Sequence, residues 1–271
     1  LKGIEYFTAL KVLLCSQNQL TVLDVSKNIE LSLLSCYRNQ LATLDIGKNA
    51  VLEELYCDDN QLTTLNISEN PSLKILRCYQ NQLSALDVSK NTMLTELSCD
   101  DNQLTMLDLS KNTVLEELYC NSNQLTSLDI SSTDMDELEC SHNVYQINIG
   151  SDRTFDLSTL SGNFDVSKTS NWNGGTVSGN ILTVDNDTDT VIYTYDCGKN
   201  QQRTFTLKCN QYADYSKVDA AIAKANALNK DDYKDFSAVE AAVRAVVRGK
   251  NITEQTEVDA MAKAIEDAIA D

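Results

Sequence analysis

Leu52 to Asn70 read LEELYCDDNQLTTLNISEN, and the chain repeats nearly the same phrase seven times. Its cysteine recurs every twenty-one residues at Cys15, Cys36, Cys57, Cys78, Cys99 and Cys120, and then at Cys140, one residue early. Units begun at Leu10, Leu31, Leu52, Leu73, Leu94, Leu115 and Met135 share the pattern L-x-x-L-x-C-x-x-N-Q-L-x-x-L-D-V-S-x-N. A unit this small cannot bury its own apolar face, so a fixed period of this length means stacked units sharing one continuous core.

Within a unit, the alternation Leu55, Tyr56, Cys57 predicts a short parallel strand with leucine and cysteine inside and tyrosine outside. Asn60 and its equivalents Asn18, Asn39, Asn81, Asn102, Asn123 and Asn143 fall where the chain must turn. Their amides are expected to satisfy backbone groups that the turn leaves unpaired. Leu65 and Ile67 close the core on the return leg, and the LDVSKN-type segment is too short for an α-helix there. The pattern matches the leucine-rich repeat template, with cysteine in place of its third strand leucine.

The cysteine column reads as packing. Neighbouring parallel strands lie ~4.8 Å apart with side chains pointing the same way. A disulfide needs converging Cβ atoms ~3.5–4.5 Å apart, which such a column does not offer. The chain has nine cysteines, an odd count, and no C-x-x-C spacing of the kind zinc and redox sites use. Small apolar thiols narrowing the core are the expectation.

Repeats of the form LxxLxCxxNxLxxLDVSxN resemble the cysteine-ladder members of the internalin family. The resemblance implies a surface protein of a Gram-positive bacterium that mediates adhesion or host contact, with a repeat array followed by an immunoglobulin-like domain. The expected organisation is a leucine-rich repeat solenoid over 1–145, a small all-β sandwich over 146–211 and a three-helix bundle over 212–271.

Beyond Asn143, short alternating runs such as RTFDL, GNILTV, TVIYTY and RTFTLK, separated by Gly-Asn and Gly-Lys-Asn, predict the sandwich strands, which would also cap the open end of the array. A turn near Gly198–Gln201 would set Cys197 opposite Thr204 or Phe205, away from Cys209. Asp185, Asp187 and Asp189 imitate the start of a calcium loop, but Thr190 stands where the loop needs glycine, so an acidic hairpin turn is expected. From Tyr212 the texture is helical: Val218, Ile222 and Ala225 share a face, as do Val239, Val243 and Val246, and Val258, Met261, Ile265 and Ile269. Ser237 with Glu240 reads as a capping box, and Ser216 and Thr253 as N-caps. YSKVDAAIAKANALNKDDYKDFSAVEAAV, with EVDAMAKAIEDAI, resembles the FIVAR module, a spacer-like domain of bacterial surface proteins and secreted carbohydrate-active enzymes.

The outward positions of the array would form a concave binding surface. One column runs Tyr37, Asp58, Tyr79, Asp100; beside it stand Arg38, Asp59, Gln80 and Asp101, and next to them Tyr56, Arg77 and Tyr119. Tyrosine and arginine are enriched at binding hot spots, so Tyr37, Arg38, Tyr56, Asp58, Asp59, Arg77, Tyr79, Asp100, Asp101 and Tyr119 form the candidate ligand-binding set. The pairs Asp58–Asp59 and Asp100–Asp101 are expected to be solvated, without the burial that acid catalysis requires. His142, the one histidine, has no nucleophile to accompany it, and no nucleotide-binding, metalloprotease or serine-elbow motif is present. No catalytic residue, metal ligand or cofactor is therefore assigned.

Net charge is −18, of which −12 (nine basic against twenty-one acidic residues) falls before Ser151, which argues against nucleic acid and anionic membranes as partners. No apolar run reaches the ~18 residues of a spanning helix. The start at Leu1, inside a broken repeat, reads as a trimmed piece of something longer. Together these features predict a monomeric, non-enzymatic, extracellular or cell-surface recognition protein with a protein ligand; the alternative is a carbohydrate-binding accessory region of a larger secreted enzyme, its glycan stacked on the tyrosine column.

Overall fold

The computed structural model describes residues 1–230 and 236–270. Seven three-residue strands, β1 (Val12–Leu14), β2 (Leu33–Ser35), β3 (Glu54–Tyr56), β4 (Ile75–Arg77), β5 (Glu96–Ser98), β6 (Glu117–Tyr119) and β7 (Glu137–Glu139), form one parallel sheet in chain order. Each pairs with the next at the same repeat position, so Tyr56 faces Arg77, Arg77 faces Ser98, and Tyr119 faces Glu139. This register follows from the repeat itself, because a slip of one residue would turn every leucine outward.

The core is a set of columns. Leu34, Leu55, Leu76, Leu97 and Leu118 are wholly buried, as are Cys36, Cys57, Cys78, Cys99 and Cys120 beside them. Leu65 and Ile67 are buried on the return leg, as expected. All nine cysteines are free and buried.

The expected asparagine ladder is present. Asn81 Nδ2 donates to the carbonyls of Cys57 (3.1 Å), Cys78 (3.1 Å) and Tyr79 (3.3 Å), while its Oδ1 accepts from Leu62 N at 2.9 Å. A second ladder, Asn28, Asn49, Asn70, Asn91 and Asn112, is also buried; Asn70 Nδ2 bonds the carbonyls of Ile46 (3.1 Å) and Asn49 (2.9 Å). The final asparagine of each repeat was the signal for it, and its role emerges only when repeats are stacked.

Two further sheets follow. β8 (Asn143–Ile149), β10 (Thr169–Asn173), β13 (Thr190–Gly198) and β14 (Gln201–Gln211) form a four-stranded sheet in the order β10-β13-β14-β8, and β9 (Thr154–Asp156), β11 (Gly175–Ser178) and β12 (Ile181–Val184) a three-stranded one in the order β11-β12-β9. Two of the four quoted runs contain β9 and β12 and the other two lie within the longer β13 and β14, whereas β8 begins within the last repeat and continues through residue 146 without a break.

Two compact units result. The first holds Leu1–Gln146, Asp156–Asn173 and Thr190–Lys208, and the second Ile147–Phe155, Gly174–Asp189 and Cys209–Asp271. Within the first, Tyr193 Oη donates to the Thr126 carbonyl, Ile130 N to the Cys197 carbonyl (2.9 Å), and Lys168 pairs with Asp129 (3.0 Å). Phe164, Trp172 and Phe205 pack around Tyr193, with Trp172 stacked on it at 4.5 Å, and Tyr195 packs on Phe164 and Phe205. Gly198 has φ +90°, and a Cβ there would fall 2.4 Å from Ser131 Oγ, so only glycine lets this strand end approach the return leg of the sixth unit.

Two local expectations are corrected by the strand pairing. The β13–β14 turn is at Lys199–Asn200, both with positive φ, but Thr204 faces Thr194 and Phe205 faces Tyr193; Cys197 sits in a bulge between Asp196 and Gly198. The Asp185–Asp189 segment is not a hairpin turn, since it joins β12 of one sheet to β13 of the other. Arg153 holds that segment through the carbonyls of Asp185 and Thr188.

In the second unit the helices are α1 (Ser216–Ala227), α2 (Ser237–Arg244) and α3 (Gln255–Ala270). Val218, Ala221, Ala225, Val239, Val258, Ala262 and Ile265 are buried together, with Ile222, Val243, Val246, Met261 and Ile269 half-buried against them. Val246 lies beyond the end of α2. The caps differ from expectation. Ser216 and Ser237 are the first helical residues, following Tyr215 and Phe236, and neither of those N-caps makes a side-chain cap bond. Glu240 instead pairs with Lys230 and Arg244. The capping box is at Asn251 and Glu254, on a 3-10 turn before α3 that contains Thr253. Part of the FIVAR-like string, 231–235, lies outside the described residues. Among the described residues no helix is long and apolar enough to cross a membrane.

Candidate recognition surface on the parallel sheet

The sheet's outward face is built from two kinds of position. Tyr56, Arg77 and Tyr119 are strand residues. Tyr37, Asp58, Tyr79 and Asp100 are not, because each strand stops before its cysteine and these residues come one position after it. Arg38, Asp59 and Asp101 lie in the following turn with Gln17, Gln80, Ser122 and His142, and all seven have φ of 51–56°. Left-handed backbone costs a non-glycine residue about 1–2 kcal/mol. Here it is held by inter-repeat bonds: Arg38 N to the Asp58 carbonyl (3.0 Å), Gln80 N to that of Asp100 (2.9 Å), and so along the stack. Asp59, Asp101 and His142 carried the available sign, since aspartate and histidine are enriched in this conformation, whereas Gln17, Arg38, Gln80 and Ser122 gave none.

Three clusters form on the face. Arg38 Nε bonds Asp59 Oδ2 at 3.0 Å, and Gln17 Nε2 reaches Tyr37 Oη at 3.2 Å. Near the centre, Arg77 Nε lies 2.6 Å from Glu96 Oε1, and its guanidinium carbon stands 5.5 Å over the Tyr56 ring. Tyr56 Oη in turn donates to Glu54 Oε2 at 2.7 Å, and burial together with this bond pushes the phenol up to about 12. Beyond, Ser98 Oγ donates to Asp100 Oδ2 (3.0 Å) and Asn121 Nδ2 to Asp100 Oδ1 (2.9 Å). Tyr119 Oη donates to Glu117 Oε2 at 3.3 Å, and burial together with the carboxylates of Glu137 and Glu117 pushes the phenol up. His142 is exposed, its Nδ1 2.9 Å from Ser141 Oγ.

Arg77, Tyr79, Asp100 and Tyr119 converge with Glu96, Ser98 and Glu117 around an open hollow of ≈ 350 Å³. Tyr37, Arg38, Tyr56, Asp58, Asp59 and Asp101 lie outside it. Ser98 and Glu117 escaped the sequence reading; in-register alternation on β5 and β6 points both at the face.

Asp58 corrects the expectation that the aspartate pairs are solvated. It is only 3% exposed, and burial raises its pKa, with the Tyr79 hydroxyl bond opposing the rise. Tyr79 is itself pushed up to about 12 by burial and by that bond. Asp58 nevertheless does not line the hollow.

No family model matches the chain, and no curated protein matches it. Solved structures do resemble it. The functional domain of InlJ from Listeria monocytogenes, described as including a cysteine ladder, is 25% identical with a TM-score of 0.47, over 76% of this chain and 59% of that one. An internalin, InlF, from the same organism is 24% identical (TM-score 0.48; 52% of this chain, 44% of that one). A leucine-rich repeat protein of Leptospira interrogans is 26% identical (TM-score 0.44; 52% and 45%). The chain thus spans less than two thirds of the length of each. With TM-scores below one half, the fold rests on the chain's own repeats: a leucine-rich-repeat-like parallel solenoid, with further strands bonded to its last repeats in the same compact unit.

Proposed function

We propose that this chain is a non-enzymatic recognition module, acting as a monomer at a cell surface or outside the cell, that binds a protein ligand on the outward face of the parallel sheet. In this reading the two smaller sheets act as an immunoglobulin-like cap and the three helices as a FIVAR-like spacer bundle. The observation that carries it is the hollow, where Arg77, Tyr79 and Tyr119 combine large contact area with polar ends beside Glu96, Ser98, Asp100 and Glu117. Backbone bonds between successive repeats hold the strands and turns that carry these groups in place before any ligand arrives, which lowers the entropy cost of binding.

The alternative glycan reading rests on the Tyr37–Tyr79 column; beside it Arg77 covers the Tyr56 ring and carboxylates hold the hydroxyls of Tyr56 and Tyr119, which favours the protein ligand at those positions. The test is a binding screen against displayed extracellular proteins, comparing the chain with its Arg77→Ala, Tyr79→Ala, Asp100→Ala variant. Loss of the captured partner by a variant that keeps its melting transition is expected. Full affinity in the variant would overturn the assignment.

A further inference from the structure

Two places on the outward face are built alike. Tyr56 and Tyr119 occupy the same repeat position, and each donates its hydroxyl to the glutamate two residues before it, Glu54 at 2.7 Å and Glu117 at 3.3 Å. At the first place, the residue facing the tyrosine on the next strand is Arg77, which stacks over the ring and bonds Glu96. At the second, the facing residue is Glu139, and Glu137 stands in register beside Glu117. A phenol has a single hydrogen to donate, and Tyr119 gives it to Glu117, so Glu137 and Glu139 receive none from it.

The charge pattern has the same direction. Glu96, Glu117 and Glu137 follow one another in register on β5, β6 and β7, and like charges opposite each other on adjacent strands are destabilising. From β5 to His142 the outward positions hold Glu96, Asp100, Asp101, Glu117, Glu137 and Glu139, with no lysine or arginine among them. Among the described residues no guanidinium stands over the Tyr119 ring as Arg77 does over Tyr56; Arg203 bonds the backbone carbonyl of Leu138 on β7 at 2.9 Å.

The geometry points to the β6–β7 end of the face, with Tyr119, Glu117, Glu137 and Glu139, as a seat for an arginine side chain on a basic segment of a partner protein. The proposal rests on the protein-binding reading of this face and narrows it to a ligand chemistry. The chain supplies the precedent in Arg77 on Tyr56. A guanidinium can stack its plane on the ring while forking donors to two carboxylates, whereas a lysine ammonium is a point charge that a single carboxylate serves as well. The surrounding negative field would also speed encounter with a basic segment at low salt.

The test titrates the isotope-labelled chain with an arginine-bearing Gly-Ser peptide and with its lysine counterpart, reading affinity and the positions of shifted amide signals. The arginine peptide is expected to bind about fivefold tighter than the lysine peptide, with shifts centred on Tyr119 and Glu137. Glu137→Gln with Glu139→Gln should weaken binding about tenfold. Tyr119→Leu, which keeps every carboxylate, should weaken it about fivefold, and its melting curve guards against unfolding. Asp87→Asn with Asp108→Asn, the same change in charge away from the face, should change affinity less than about twofold. Equal binding of the two peptides, equal loss in the control pair, equal competition by calcium or spermine, or no binding at all would overturn the seat. Shifts centred instead on Tyr37 to Tyr79 would overturn the seat and leave the face as the binding surface. Shifts confined to residues off the parallel sheet would overturn both.

Discussion

The guanidinium of Arg77 stands 5.5 Å over the ring of Tyr56, so an arginine of the chain already occupies one of the aromatic faces that the sequence offers to a ligand. The same side chain bonds Glu96 at 2.6 Å. Arginine, tyrosine and glutamate lie on three different strands and meet because the register places one repeat position beside the next. The middle of the face is thereby partly neutralised, while its β6–β7 end keeps its carboxylates.

Removing that arginine should have a small, specific cost. Arg77 and Glu96 are partly exposed, so Arg77→Ala is expected to lose about 0.5–1 kcal/mol in urea denaturation. Arg77→Lys should recover less than half of the loss, because the ammonium cannot both stack and fork. Full recovery by lysine would show that charge alone matters at this position.

Asp58 predicts a pH dependence of the less usual sign. Burial raises its folded pKa, so ionisation is harder in the folded chain than in the unfolded one. Below the unfolded pKa of about 3.9 both states are protonated and there is no penalty; as pH rises through the raised folded value the penalty develops in full, and it persists above. Asp58→Asn, which still offers Tyr79 an acceptor, should therefore exceed wild type in urea midpoint at pH 7, with the difference vanishing near pH 3. A variant less stable by the same margin at both pH values would contradict this account.

The cysteines should be chemically quiet. Burial pushes Cys78 up to about 12, and the wholly buried Cys57 and Cys99 rise for the same first reason. Thiolate, the reactive form, is then scarce at pH 8, and access is closed as well. A bulky disulfide reagent is expected to label none of the nine thiols in the native chain on the timescale that labels all nine in urea. Cys57→Ser should cost about 1–3 kcal/mol, since a hydroxyl enters an apolar column without a dedicated partner.

What could be read before folding follows from the period. Twenty-one residues between cysteines dictate the parallel strands, their register, the thiol column and the Asn81 ladder, because each needs only the neighbouring copy of the same phrase. Features that depend on different phrases meeting were harder to see. Asp58 alternates outward like any other residue after a cysteine, yet it is buried, and the Tyr79 hydroxyl of the next repeat opposes the rise in its pKa that burial causes. The helix caps failed for a related reason. Ser216, Ser237 and Thr253 have the right chemistry, but capping needs non-helical backbone at the cap, and Ser216 and Ser237 are already helical. Asn251 meets that condition with ψ of 160° and accepts from Thr253 N.

The asparagine ladder supplies a graded prediction. Asn81 is buried and completes three donor contacts to carbonyls on two repeats, while accepting from Leu62 N. Asn18, in the first unit, is exposed and bonds only the carbonyls of Cys15 and Ser16 in its own turn. Alanine at position 81 leaves buried backbone groups of two repeats without partners, which should cost on the order of 3 kcal/mol. At position 18 water can replace the lost amide, so the cost should stay within about 1 kcal/mol. Hydrogen exchange adds a spatial readout: Asn81→Ala should raise exchange at Leu62 and at the turns on both sides, while Asn18→Ala should affect only the first unit. Equal costs at the two positions would mean that the ladder bonds act locally within each turn, and that the stacking of repeats draws its strength from the leucine and cysteine columns alone.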